Sequence, residues 1–230
     1  MVTDAPTAMT TDIRPMTTAT EVLTLSQWFS PSYPLGSFAY SHGLETAVLD
    51  GRLTTAAEVE DWLRDVLEHG AGRCDAIVLR AAYACEETEA LGAVDAVARA
   101  YAASAQRQQE TLDQGRAFAR TTSSIWGESL PDHCLPVAVG AAAAQQRLPL
   151  DLTVTLFLQA FASGLVSGAV RLIPLGQTEG QQVLQKLSGL CEAISTATKT
   201  TTLDDLGGAC FAADIAAMRH ETLEHRIFRT

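Results

Sequence analysis

Apolar residues recur every three or four positions along most of the chain, which is the period of a helix with one buried face. Thr55 followed by Glu58 predicts a capping box. Val59, Leu63, Val66 and Leu67 then share a face, and Gly70 offers a stop. Residues 75–85 and an alanine-rich stretch over 90–126 continue the helical period, with Gly127 and Pro131 closing it. Residues 135–146 predict another helix. Thr178 and Gln181 repeat the capping pattern before a face of Val183, Leu184, Leu187, Leu190 and Ile194, and a last helix is expected over 211–218. Alternating strands between turn signals are absent. The expectation is an all-α, single-domain bundle of roughly eight to ten helices without an internal repeat. It spans residues 21–230, preceded by a mobile tail over 1–20.

Residues 152–170 carry no charge over about the length that spans a bilayer. Thr153, Thr155, Gln159, Ser163 and Ser167 interrupt the run, and Arg171 and Pro174 follow it, so a buried core helix is expected and not a membrane span. Ala160, Gly164 and Gly168 recur every fourth position, a spacing that lets another helix approach closely.

Composition narrows the classes. The 230 residues are 47% hydrophobic, which suits a well-buried core. A net charge of −11 without a basic patch argues against a nucleic-acid partner and against a surface held to anionic lipid. Five cysteines without a C-x-x-C pair read as reduced thiols of a cytoplasmic protein, and the first 22 residues lack the apolar run of a signal peptide.

Candidate chemistry is then tested on geometry. AYSHG at residues 39–43 approximates a nucleophile elbow around Ser41, but that elbow needs a central strand before it. Pro31, Pro34 and Gly36 rule out such a strand. The stretch reads better as a proline-rich approach to a helix on which Tyr40, Leu44 and Val48 share one face and His42 and Glu45 lie on a solvated or hydrogen-bonded other. In HETLEH the histidines His220 and His225 are five apart, not the four that a zinc protease needs. The i,i+4 pairs His220–Glu224 and Glu221–His225 suit an exposed helix instead. Residues 180–188 imitate a P-loop but have Gln185 where a glycine is required. His133 and Cys134 are adjacent potential ligands without a third nearby. No catalytic residue, metal site or cofactor is expected from the residues. The alternatives at this point are a plain helical scaffold and, behind it, a metal-dependent hydrolase.

Several motifs together resemble the urease accessory protein UreF family. They are SPSYPLGSFAYSHGLETAV at 30–48, LDQGRAF at 112–118, AVRLIPLGQTEGQ at 169–181, LDDLG at 203–207 and DIAAMRHETLEHRIFR at 214–229, in the family's order. His42 stands where the family often has glutamine, and Cys134 where an aromatic is expected. The resemblance implies an all-helical, dimer-forming chaperone component that is not an enzyme. Such proteins bind UreD (also called UreH) and the GTPase UreG, and the assembly delivers nickel to the urease apoprotein as GTP is hydrolysed. Carried onto this chain, the motif framework comprises Pro31, Pro34, Gly36, Gly43, Gly115, Arg116, Pro174, Gly176 and Gln177. The partner-binding candidates are Tyr40, Ser41 and Glu45 together with Arg219, His220, Glu221, Leu223, Arg226 and Phe228. The arginines Arg219, Arg226 and Arg229 and the apolar anchors Leu223, Ile227 and Phe228 make that end suited to fold onto a partner.

Overall fold

The Thr55 hydroxyl accepts from the Glu58 amide (3.3 Å), and the Glu58 carboxylate accepts from the Thr55 amide (3.0 Å). This box opens α3, whose Val59, Leu63, Val66 and Leu67 are all buried as their spacing requires. In the computed structural model, which describes residues 17–127 and 129–230, most of the chain follows from such local rules. The described residues form α1 (Ala19–Trp28), α2 (Leu44–Leu49), α3 (Ala56–Glu68), α4 (Ala71–Tyr83), α5 (Thr88–Ala100), α6 (Ala105–Trp126), α7 (Leu135–Gln145), α8 (Leu150–Leu172), α9 (Gln177–Ala197) and α10 (Phe211–His220), with two short 3-10 turns and no strand among them.

Three local expectations shift. The stretch 90–126 is two helices, because the Ser104 hydroxyl accepts from the Arg107 amide (3.1 Å) and so starts a new helix after the turn at 101–104. The start of α9 lies at Gly176, whose amide donates to Glu179 (2.8 Å), rather than at Thr178. At the other end of the chain, α1 begins inside the stretch expected as tail: Thr18 and Glu21 form its capping box. The rest of that tail, residues 1–16, lies outside the described residues.

Helices α4 and α7 lie against one another, as do α8 and α9, with α6 over α7, α3 over α9, and α10 on α2. Fully buried Leu63, Leu67, Ile77, Leu79, Leu158 and Leu187 fill the spaces between them, each contributing about 1.5–3 kcal/mol of transfer free energy. Two glycines set the closest approaches. A Cβ at Gly140 of α7 would run into the Leu79 carbonyl of α4, and one at Gly115 of α6 into the His133 carbonyl ahead of α7. Buried Arg80 then ties α4 to the α8–α9 pair, donating to Asp151 (2.9 Å), the Ser195 carbonyl (2.7 Å) and Thr198 (3.1 Å).

Helix α8 is long and apolar enough to cross a membrane by length and composition, and half of its most apolar stretch is buried inside the fold. Its small-residue stripe does not serve a neighbouring helix. A Cβ at Gly164 would meet nothing within 4 Å, and one at Gly168 would meet only the Phe228 ring at 3.7 Å.

The three glycines should therefore respond differently to substitution. Gly115→Ala forces backbone apart and should cost about 1–3 kcal/mol or more. Gly168→Leu must displace the Phe228 ring at a cost in the same range. Gly164→Ala should be neutral or stabilise by up to about 1 kcal/mol, through helix propensity. Thermal melts of the three variants check this ordering. A Gly115→Ala variant as stable as the parent would contradict the close α6 approach.

Candidate functional site

The segment that links α1 to α2 turns far more tightly than a helix would. Gly36 (φ 72°) starts a 3-10 turn over Ser37–Ala39, Tyr40 is extended, and His42 (φ 51°) and Gly43 (φ 78°) are both left-handed. The helix expected from Tyr40 thus begins only at Leu44. Gly43 is required twice over, by its backbone angle and by α10, since a Cβ there would lie 2.7 Å from the Ala217 amide nitrogen. The turn directs Ser41, His42 and Glu45 inward, so the solvated half of the earlier reading fails for His42 and Glu45. All three are buried.

Their partners come from the other end of the chain. Glu45 accepts from the backbone amides of Ile227 (2.7 Å) and Phe228 (2.9 Å) and pairs with His220 Nε2 (3.0 Å). Burial alone would raise the pKa of this carboxyl, but the Ile227, His220 and Phe228 hydrogen bonds outweigh it and hold the group below the usual carboxylate range. Turned to suit its neighbours, the Gln106 carboxamide donates to His220 Nδ1 (2.9 Å) and the Arg229 carbonyl (3.1 Å) and accepts from Arg226. That arrangement leaves a hydrogen on His220 Nε2, facing Glu45. Ser41 donates its hydroxyl hydrogen and its amide hydrogen to the Thr230 carbonyl. The hydroxyl hydrogen of this fully buried serine is thus directed at a backbone carbonyl and not at a general base.

Alongside lies a second acid cluster. Glu110 of α6 pairs with His42 Nε2 (2.7 Å), accepts from Thr230 Oγ1 (3.0 Å) and Gln114 (3.0 Å), and sits 3.4 Å from Arg107, which also bridges to Asp75 (3.0 Å). Burial raises both acids. The His42 and Arg107 charges pull Glu110 below its ordinary value despite that, whereas burial wins at Asp75 and leaves it raised. His42, Asp75, Arg107 and Thr230 line a cavity of about 100 Å³, together with Cys74, Cys134 and Cys210. Burial pushes the Cys134 thiol up to about 12 and Cys210 up to about 11, far from a reactive thiolate. Among the described residues no three His, Cys, Asp or Glu side chains converge to hold a metal ion. His133 and Cys134 instead organise around Asp95, which lies 3.4 Å from His133 Nδ1 and accepts from the Cys134 amide (2.6 Å).

Of the partner-binding candidates, Tyr40, Ser41, Glu45, His220 and Phe228 are buried in contacts within the chain, while Arg219, Glu221 and Arg226 are exposed and Leu223 is half-buried. Arg219 is paired with Asp50 (2.6 Å), and Glu221 accepts from the Gln106 amide (3.2 Å). HETLEH is not an exposed helix. α10 stops at His220, which is fully buried, so the pairs His220–Glu224 and Glu221–His225 have no helix to sit on. Of the framework residues, Arg116 lies 3.5 Å from Asp132, and Gln177 opens α9 behind Pro174 and Gly176. Sequence reasoning missed Gln106, Arg107 and Glu110, which sit in the polar run 105–114, and Asp75, which opens the apolar stretch 75–85. It also missed the outward face of α10, where Phe211, Ile215 and Met218 are 69%, 53% and 51% exposed at i, i+4 and i+7.

The chain is similar to proteins named urease accessory protein UreF. It is 51% identical to that of Roseobacter denitrificans over 208 residues, covering 90% of this chain and 93% of the relative. It is 47% identical to that of Ruegeria pomeroyi over 217 residues (94% and 100%) and 43% identical to that of a Jannaschia species over 209 residues (91% and 94%). The family model described as UreF matches residues 53–188. The two motifs that meet around Glu45 lie outside that match, and on the identities and coverages of these relatives the chain belongs to the UreF family of urease accessory proteins.

Proposed function

We propose that this chain acts in the cytoplasm as a homodimeric chaperone component in nickel insertion, bridging UreD (UreH) and the GTPase UreG on the way to the urease apoprotein and modulating GTP hydrolysis by UreG. One observation carries the reading: two motifs about 180 residues apart in sequence fold into one buried unit, and apolar side chains stand outward beside it. Phe211, Ile215 and Met218 form a helix-long stripe, and Ile227 is 74% exposed although its neighbour Phe228 is buried. Exposed aromatic and aliphatic side chains of this kind suit a protein partner. Arg219 and Arg226 supply the charged rim, with the contact residues being Arg219, Glu221, Leu223 and Arg226. Tyr40, Ser41, Glu45, His220 and Phe228 support that surface from beneath. The nucleotide belongs to the partner.

Replacing Phe211 and Ile215 together by serine should leave the melting transition near that of the parent and weaken capture of UreD or UreG by about 2 kcal/mol or more, roughly thirty-fold. A pull-down against each partner, with and without GTP and nickel, reads the effect. Undiminished capture of both would remove this face from the interface. Ser41→Ala loses a hydrogen bond of about 1 kcal/mol to a carbonyl that keeps its amide donor, and a long one accepted from the Glu45 amide (3.4 Å), so urease activation should stay within a few fold of the parent. Complete loss of activation in a folded, partner-binding Ser41→Ala protein would reinstate a chemical role for the serine.

A further inference from the structure

Asp113, Arg116 and Arg120 of α6 follow one another at three and four positions and therefore share one face of the helix. That face is one wall of a groove of about 420 Å³, whose other wall is the turn at 35–40 together with Arg229. Three guanidinium groups thus meet a single carboxylate, in a chain whose net charge is −11. All three arginines are exposed. Arg116 stands 3.5 Å from Asp132 and 3.9 Å from Asp113, but these side chains are 46%, 65% and 40% exposed, and such pairs contribute little and exchange readily for a better acceptor. Arg120 has no hydrogen-bond or ion-pair partner among the described residues. Arg229 hydrogen-bonds the buried Tyr40 hydroxyl, which fixes its guanidinium at the groove wall. Phe38, 70% exposed, adds an apolar surface to the same groove.

We propose that this groove docks an acidic segment of a protein partner, held extended with carboxylates on Arg116 and Arg120 and an apolar side chain against Phe38. The inference rests on the reading of the chain as a partner-binding component, and adds to it a contact that α10 does not line. Three features select this occupant. Arg116 and Arg120 are four residues apart, about 6 Å along the helix axis. Alternate side chains of an extended strand are spaced by roughly 6.6 Å, so acids at every second position meet both arginines. Each guanidinium can take its carboxylate through two parallel N–H···O bonds. A free phosphate would neither fill a groove of this size nor use the phenyl ring. A nucleic-acid backbone is disfavoured because the charge of the whole chain repels a polyanion, whereas three arginines suffice for a segment with two or three acids.

Fluorescence anisotropy of a labelled peptide, Glu-Leu-Glu-Leu-Glu, titrated with the full chain tests this. The parent should bind it, with an affinity that falls as sodium chloride is raised. Arg116→Ala and Arg120→Ala together should weaken binding roughly ten-fold or more, the effect of losing charge-assisted hydrogen bonds, while the Phe211 and Ile215 double serine variant should bind the peptide as the parent does. Both arginines are exposed, so the double alanine variant should keep the parent's melting transition. If it does not, Arg120→Gln alone decides, with an expected loss of about three-fold or more. A folded parent that leaves the peptide free, or arginine variants that bind it undiminished, would overturn the proposal. So would displacement of the peptide by inorganic phosphate beyond that given by sodium chloride of equal ionic strength, which would make the groove a site for free phosphate. The peptide is read without UreD or UreG, so its failure strikes this groove and leaves the partner reading to the pull-down.

Discussion

A buried carboxylate must be supplied with hydrogen-bond donors, and the end of this molecule that carries the motifs is organised by that requirement at Glu45. Left without partners, the group would cost several kcal/mol. Two backbone amides and a histidine meet it, from residues 175 to 183 positions away. The demand of one side chain thereby fixes the path of a segment with no secondary structure. It also accounts for Gly43, whose left-handed turn leads into the helix that carries Glu45 and whose missing Cβ admits the α10 backbone.

The two acid clusters act as one because Thr230 belongs to both. Its carbonyl accepts from Ser41, four residues before Glu45, and its hydroxyl donates to Glu110. Glu110 in turn holds His42, the residue adjacent to Ser41. Glu110 and Asp75 share Arg107, but Glu110 also has His42 and Thr230 beside it, so it is held below its ordinary value while burial leaves Asp75 raised. His42 fits this cluster: the imidazole reaches Glu110 while its ring packs edge-on to Phe161 at 4.7 Å.

Helices were legible wherever local chemistry decides them. Thr55 and Glu58 announce α3, and Gly127 ends α6 in the left-handed conformation that glycine alone adopts freely. Failures occurred where a distant partner decides. His220 and Glu224 have helical spacing, but Glu45 and Gln106 already claim His220, and the chain turns away from the helix axis after it. Glu110 stands in the run AQRQQETLDQ, which has the look of a solvated face, yet that face is covered by segments from both ends of the chain. The spacing of Gly164 and Gly168 suggested a close helix approach that neither position has: Gly164 faces open space, and Gly168 meets at ordinary contact distance an aromatic ring from a segment without periodicity. The family motifs were legible as motifs without revealing that they touch.

Charge burial at this end is not an efficient source of stability, since a buried ion pair commonly gains less than well-packed apolar groups of the same volume. The bundle has such packing elsewhere, in the leucines between α3, α4, α8 and α9. What the polar end adds is position. An apolar plug could slide or rotate in its seat, whereas Ile227 and Phe228 must each place one amide on one oxygen of Glu45 while Thr230 reaches Glu110. Meeting all three conditions fixes the register of the segment and therefore turns Ile227 outward whenever Phe228 is inside. The geometry of the outer face is thus a consequence of hydrogen bonding beneath it.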